Sequence, residues 1–355
     1  MPDGSAALYA SRPTFEIDGQ AVAALGGGLL QLEIVERAAG LYRCEARFGN
    51  WGAREGATGF LYFDRRTLDF GQRLVVKLGA DTLFDGRITA LEAHFPDAGP
   101  PEISALAEDR LQDLRMTRRT RTFADLSDAD VASLIAQDHG LQTDIDLSGP
   151  THRVLAQLNQ SDLAFLQDRA RAAGGEAWME GDRLCMKSRA ARRGTPLALI
   201  AGARLRNCSV LADLAHQRTA ISASGWDVAG KDGVAHEATE SAVSAELDGG
   251  DSGAAVLQQA FGARKDTVAH AAPATLEEAR AVAEAVFRAT ARRFVTARGT
   301  AECDARLRVG AVVDLGGLGS LFAGKYDLVE VRHRFDARDG LRTEFVAERA
   351  GLGRP

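Results

Sequence analysis

The sequence predicts an α+β fold that is mostly β, with two β-rich units, an α/β unit between them and a partly helical insertion in the second. Three observations predict it. Period-two alternation of apolar and polar residues fills the first hundred residues or so and returns after about residue 195. Serine caps followed by helix-spaced apolar residues occupy the stretch between. A Thr275/Glu278 capping box opens the longest helical run in the second half.

Taken in order, Leu30, Leu32 and Ile34 alternate with Gln31 and Glu33, and Tyr42, Cys44, Ala46 and Phe48 alternate with Arg43, Glu45 and Arg47. Leu74, Val76 and Leu78 repeat the pattern. Asp18-Gly19 and Asp85-Gly86 read as tight turns, because glycine accepts positive φ cheaply, and Gly26-Gly27-Gly28 reads as a loop. The first β domain spans 1–107. The α/β domain, 108–194, begins a helix at Ser127, with Asp130 at its third position, Val131, Leu134 and Ile135 on its apolar face and Gly140 as its stop. Ser161 caps a second helix carrying Leu163, Phe165, Leu166 and Ala170, closed by Gly174-Gly175. A hairpin follows, 177–186, turning at Gly181-Asp182.

The second β domain is discontinuous, 195–235 and 296–355, with strands expected at 197–200 and 217–226. Its insertion, 236–295, reads as a flexible segment plus the long helix, whose face is Ala279, Val282, Ala283, Val286 and Phe287 and whose end is Gly299. Leu341, Thr343, Phe345 and Ala347 form a last strand, turned at Asp339-Gly340 onto Val329, Val331, His333 and Phe335. The apolar phase slips by one near Leu328-Val329, which predicts a bulge.

Composition narrows the function classes. The 355 residues are 45% apolar and 26% charged, with a net charge of −6 and a pI of about 5.7. A nucleic-acid binder needs a basic face, which this balance argues against. No apolar run reaches the length of a transmembrane helix. Residues 1–13 lack the basic start and apolar core of an export signal, so folding in the cytoplasm is expected. Cys44, Cys185, Cys208 and Cys303 are far apart, form no C-x-x-C pair and read as small buried hydrophobes.

No catalytic, cofactor or metal residue is assigned. Gly250-Asp251-Ser252-Gly253 resembles the surroundings of a trypsin-like serine nucleophile, but Ala254 follows and the stretch reads as a mobile loop. His94, His139, His152, His216, His236, His270 and His333 contain no i, i+4 pair of the kind a helical metal site uses. Gly316-Gly317-Leu318-Gly319 follows a strand but precedes another β run, so it reads as a turn and not a phosphate cradle. Arg115, Arg118, Arg119 and Arg121 form the one basic run, which reads as a solvated face or, more sharply, as an interface stripe that would complement an acidic neighbour. Two enzyme or ligand classes remain as alternatives: a tail-associated cell-wall hydrolase and a carbohydrate-binding β protein. The latter wants clustered aromatics, whereas Trp51, Trp178 and Trp226 are dispersed.

Three strings carry a family resemblance. DRLQDLR at 109–115 with RTRTF at 119–123 resembles the first-domain exit of the phage late control protein D family, which includes contractile-tail hub proteins and the N-terminal part of VgrG spikes. LNQSDLAFL at 158–166, with its Ser161-Asp162 pair, Gly174-Gly175 and AWME at 177–180, is similar to that family's helix and hairpin. LRVGAVV at 307–313, GKYDLV at 324–329 and His333 resemble its last barrel. The resemblance implies two related small antiparallel β-barrels in a non-enzymatic baseplate hub that needs no cofactor. It implies a homotrimer that adapts a hexameric tail tube to a trimeric spike and contacts other baseplate subunits, but neither nucleic acid nor, at rest, a membrane. Such a protein assembles in the cytoplasm and becomes part of a virion or tail-like particle. Because the sequence stops at Pro355, after the last barrel strand, the spike is expected to be a separate protein.

Overall fold

A computed structural model of the chain describes residues 12–354 except 39, 55 and 270. Residues 1–11, His270 and Pro355, on which expectations were placed above, lie outside the described residues. The fold is mostly β.

The first unit runs β1 (Thr14–Ile17), β2 (Gln20–Ala21), α1 (Ala23–Gly28), β3 (Leu29–Arg37), β4 (Gly40–Gly49), β5 (Trp51–Arg54), β6 (Ala57–Phe60), β7 (Arg73–Leu78), β8 (Asp81–His94) and β9 (Glu102–Glu108). Alternation decides which face is core: Tyr42, Cys44, Ala46 and Phe48 are all buried. Asp18 and Gly19 both take positive φ, 49° and 80°, as a two-residue hairpin of the primed type requires. Three expectations are corrected. Gly26-Gly27-Gly28 closes the short helix α1, which buries Leu25. Leu30 is exposed, because the register shifts between Leu29 and Gln31. Asp85-Gly86 lies inside β8, while the β7–β8 turn uses Gly79 at φ 61°. Gly86 is needed for space: a Cβ there would overlap the Glu108 carbonyl and the Phe84 ring.

The middle unit runs α2 (Leu111–Arg115), β10 (Arg118–Ser127), α3 (Asp128–Asp138), β11 (Gln142–Asp146), β12 (Thr151–Ser161), α4 (Asp162–Ala172), β13 (Gly175–Glu180), β14 (Arg183–Ser188) and α5 (Arg189–Arg192). Both caps form as expected. Ser127 and Asp130 make a reciprocal capping box, and the Ser161 hydroxyl accepts from the Ala164 N–H at 3.2 Å. Val131 and Ile135 enter the core with Phe123, Leu155 and Phe165, but Leu134 is left exposed at the edge of that stripe.

The rest runs β15 (Leu197–Ile200), β16 (Leu205–Ala212), β17 (Ala220–Asp227), β18 (Asp232–Ala238), a 3₁₀ turn at Glu240–Glu246, β19 (Asp251–Ser252), α6 (Gly253–Phe261), β20 (Lys265–Val268), α7 (Leu276–Ala291), β21 (Val295–Glu302), β22 (Val312–Gly316), α8 (Gly319–Phe322), β23 (Gly324–Asp336), β24 (Gly340–Arg349) and β25 (Gly351–Leu352). The strand expected at 217–226 does not join the second β unit. It is β17, which pairs with β18 and β20 in a separate three-stranded sheet. Ala283 and Phe287 of α7 pack against Ile221 and Ala223 of that sheet, so the segment expected to be flexible has a small core of its own. Helix α7 ends at Ala291, and Gly299 is a strand residue where a Cβ would stand 2.7 Å from the Asn207 carbonyl and 2.8 Å from the Phe345 ring. The bulge near residue 329 is present, as a register shift between Leu328 and Glu330.

One 13-stranded sheet joins the two β units. Its middle is the antiparallel pairing of β3 with β23, from Arg37↔Glu330 to Gln31↔Asp336. Antiparallel neighbours are related by a local two-fold axis between them. Read outward from this seam, the order is β3-β4-β9-β8 on one side and β23-β24-β21-β16 on the other, antiparallel throughout. Two cores flank the seam, one holding Phe15, Ile34 and Phe48 and also taking in Phe335 and Leu341 from the second half, the other holding Phe294, Val331 and Phe345.

Candidate assembly interface

The seam is held by buried polar contacts as well as by its ladder. Glu36 on β3 is 1% exposed, pairs with Arg308 and accepts from the Val309 N–H at 3.0 Å. His333 on β23 is fully buried, with Nδ1 2.9 Å from the Thr343 hydroxyl and 3.6 Å from the Cys303 thiol. Burial, reinforced by the nearby Arg308 charge, pushes His333 down to about 3, so it is neutral at pH 7. The sequence placed His333 in the strand correctly but gave no sign of its position beside β3.

A second arginine group, overlooked in the sequence, joins the three units. Arg189, Arg192 and Arg193 lie on and just after α5. Arg189 approaches Glu176 and Glu348 at 3.4 and 3.5 Å. Arg192 donates to Glu176 at 2.7 Å and to the Tyr42 hydroxyl at 2.6 Å, and its guanidinium lies 3.9 Å from the Trp178 ring centroid. Arg193 forks onto both oxygens of Asp327 at 2.6 Å. One short helix thus ties β13 to β4 and to β23 and β24. Spacing signals this much: R-x-x-R-R after a serine cap puts basic residues on adjoining faces of one turn. Their acidic partners are remote in sequence and left no local mark.

The arginines read as an interface stripe behave differently from one another. Arg115 forks onto Glu108 at 3.2 and 2.5 Å. Arg119 and Arg121 share a strand face with buried Phe123 and converge on Asp138 and Asp162, Arg121 at 2.7 and 2.8 Å. Asp162 is 1% exposed and also meets His139 at 2.9 Å and Gln157 at 2.8 Å. Burial alone would raise its pKa, but those hydrogen bonds and the two arginines hold it below the usual carboxylate range. Only Arg118 of the four has no carboxylate partner among the described residues; it donates to the Asn159 carbonyl.

The remaining chemical candidates have structural places. Ser252 is the N-cap of α6, its hydroxyl accepting from the Ala255 N–H at 3.0 Å, and not part of a mobile loop. His152 sits among Glu278 (2.8 Å), Arg169 (2.9 Å) and Asp128 (3.4 Å). The hydrogen bond with Asp128 first, and that with Glu278, push its pKa up against its burial and the Arg169 charge. His94 and His216 are exposed and His236 is half-buried. Gly317 and Gly319 take positive φ around a turn that leads into the one-turn helix α8 before β23, which the sequence reading lacked. The cysteines are free, Cys44 and Cys185 buried, Cys208 and Cys303 half-buried. Among the described residues no three His, Cys, Asp or Glu side chains converge as metal ligands, and no helix is long and apolar enough to cross a membrane. A cleft of about 500 Å³ is lined by Glu246, Asp248, Asp314, Lys325 and Arg349 and opens broadly to solvent. The three tryptophans stay apart, but Trp51 joins a group of phenylalanines: it packs edge-on against Phe60 at 5.2 Å, Phe60 stacks on Phe63 at 4.9 Å, and Phe95 stands 5.8 Å from Phe63.

Compared with known families, residues 60–337 match the model of the Alg8 N-terminal domain. The chain belongs to the Alg8 N-terminal domain family. No curated protein matches it. Among solved structures, the chain superposes on the 43 kDa tail protein of prophage MuSo2 from Shewanella oneidensis with a TM-score of 0.71 and 13% identity, covering 96% of this chain and 98% of that one. A tail protein from Neisseria meningitidis MC58 gives 0.71 and 13%, covering 97% and 98%. The E. coli c3393 protein, a component of the type VI secretion system with structural similarity to the bacteriophage T4 tail proteins gp27 and gp5, gives 0.56 and 12%, covering 96% and 79%. At these identities the likeness is one of fold: the chain shares the fold of these tail proteins along nearly its whole length.

Proposed function

We propose that the chain is a structural baseplate hub of a contractile injection system, of the late control protein D type, and does no catalysis. It works as a homotrimer that joins a six-fold tail tube to a three-fold spike. It assembles in the cytoplasm and is carried in a virion or tail-like particle. The observation that carries this reading is the pair of β units with matching strand order on either side of the β3–β23 seam. A tube end offers six equivalent contacts and a spike three. Three chains with two similar β-barrels each meet the first number, and closed symmetry stops further growth. Separate cores let the two halves share backbone shape while their side chains diverge. The Arg192 group then keeps the halves in fixed relation, which a ring of alternating halves requires.

The reading is tested by deleting the gene in the producing cell. The deletion is expected to leave tubes or sheaths with no spike-bearing baseplate, and the wild-type gene supplied in trans should restore whole particles. Spike-bearing, contractile particles in the deletion strain would contradict it.

A further inference from the structure

Two exposed faces are left uncovered by the chain itself, and they differ in character. The first is the outer face of the β10–β12 ribbon. Strand alternation turns Arg119, Arg121 and Phe123 toward α3 and α4, and turns Thr120, Thr122 and Ala124 outward, beside Val154, Ala156 and Leu158 of β12. Val154 is 59% and Leu158 65% exposed. The only acid on either strand, Asp125, sits in an irregularity at φ 54°. Exposed Arg118 begins β10 and exposed Arg153 precedes Val154 in sequence, and neither pairs with a carboxylate among the described residues.

The second face is the aromatic cluster at the β5–β6 hairpin, where Trp51, Phe60 and Phe95 are 47%, 42% and 62% exposed. Exposed Glu92 and Asp97 lie on either side of Phe95 in sequence, and neither pairs with a cation among the described residues. An apolar face with a spare basic rim and an aromatic face with a spare acidic rim are complementary in both respects. Interface cores are enriched in aromatic residues and arginine, and opposed rim charges set register and partner choice.

We propose that the outer face of the β10–β12 ribbon of one copy docks on the aromatic β5–β6 face of a second copy. The contact joins two different patches, so it is head-to-tail and closes only as a ring. This inference rests on the homotrimer proposed above and names the surfaces that build it. It also explains why the strand bearing the basic run keeps two of its arginines for internal pairs: they stiffen the ribbon from behind while its other face binds.

Charge exchange tests the pairing in the full-length chain by sedimentation velocity. One variant carries Arg118→Glu with Arg153→Glu, a second carries Glu92→Arg with Asp97→Arg, and a third combines all four. Unchanged circular dichroism and unfolding midpoints establish that each folds. The first two are expected to weaken self-association by roughly tenfold or more, and the third to regain most of it. Leu158→Asp should abolish association without rescue. Variants that associate like wild type, or a combination that fails to recover, overturn the pairing; a trimer that persists in them leaves the hub reading standing. A wild-type chain that stays monomeric at its highest soluble concentration also overturns it, as does loss of a tube or spike contact in the particle with the copy-to-copy contact intact. The hub reading fails separately, if the particle does not hold three copies.

Discussion

Arg192→Ala is expected to destabilise the chain by about 3–5 kcal/mol, the usual cost of removing one partner from a buried ion pair. The Arg192 side chain is only 7% exposed and makes three unlike contacts at once. Its loss leaves Glu176, itself 12% exposed, with only the longer approach from Arg189. It also strips the Tyr42 hydroxyl of its donor and uncovers Trp178. The turn at Gly310, φ 87°, passes so close over the Arg192 stem that a Cβ there would overlap it, so the space left behind lies between units. Arg192→Lys should recover less than half, since an ammonium cannot stack on the indole while serving two acceptors in a plane. Urea unfolding followed by tryptophan fluorescence measures both. A loss within about 1 kcal/mol for Arg192→Ala, the range of an exposed pair, would show that the contact does not hold the units together.

The second large effect is acid instability at the seam. His333 is held neutral, its pKa lowered from the ordinary histidine value to about 3 by burial first and by Arg308 second, with Asp304 opposing. Between about pH 3 and 6.5 the unfolded chain therefore binds a proton that the folded chain does not, so stability from this group falls as pH falls through that window. Asp109 works in the opposite sense. Burial raises it to about 7, against the pull of the Tyr42 and Leu111 N–H groups, so the folded chain holds the extra proton between about pH 4 and 7 and stability from it falls as pH rises. His333→Gln should remove the first slope and keep the second. Its stability relative to wild type should improve by roughly 2–3 kcal/mol on going from pH 7 to about pH 4.5. Parallel pH profiles for the two proteins would mean that His333 is not buried uncharged at the seam.

Much of this fold was legible locally. Tyr42 to Phe48 and Leu341 to Ala347 alternate with a fidelity that fixes their inner faces, Asp339-Gly340 marks its hairpin, and the phase slip at Leu328-Val329 marks its bulge. Ser127 and Ser161 announce their helices through chemistry confined to one turn. The seam was not legible, because β3 and β23 are separated by nearly the whole chain and pairing over that distance leaves no periodic trace. Glycines misled for a related reason. Gly86 and Gly299 look like a turn and a helix stop, yet each is a strand residue whose missing Cβ makes room for a carbonyl and a ring brought from elsewhere. Helix α6 was hidden by its composition, since a Gly, Ala and Ser-rich stretch reads as loop until Ser252 is seen to cap it. For the candidate interface, alternation alone could have separated Arg119 and Arg121 from the outward residues of β10. What lay beyond the sequence was that Asp138 and Asp162 wait on the inner side.

A single-particle reconstruction of the intact particle, at the level where tube meets spike, would display the proposed ring of three chains with two quasi-equivalent halves each. Three copies of this chain are expected there, with first and second β units alternating around the axis in six similar positions and the β3–β23 seam within each copy. Any other copy number, or halves that occupy unrelated positions about the axis, would contradict it.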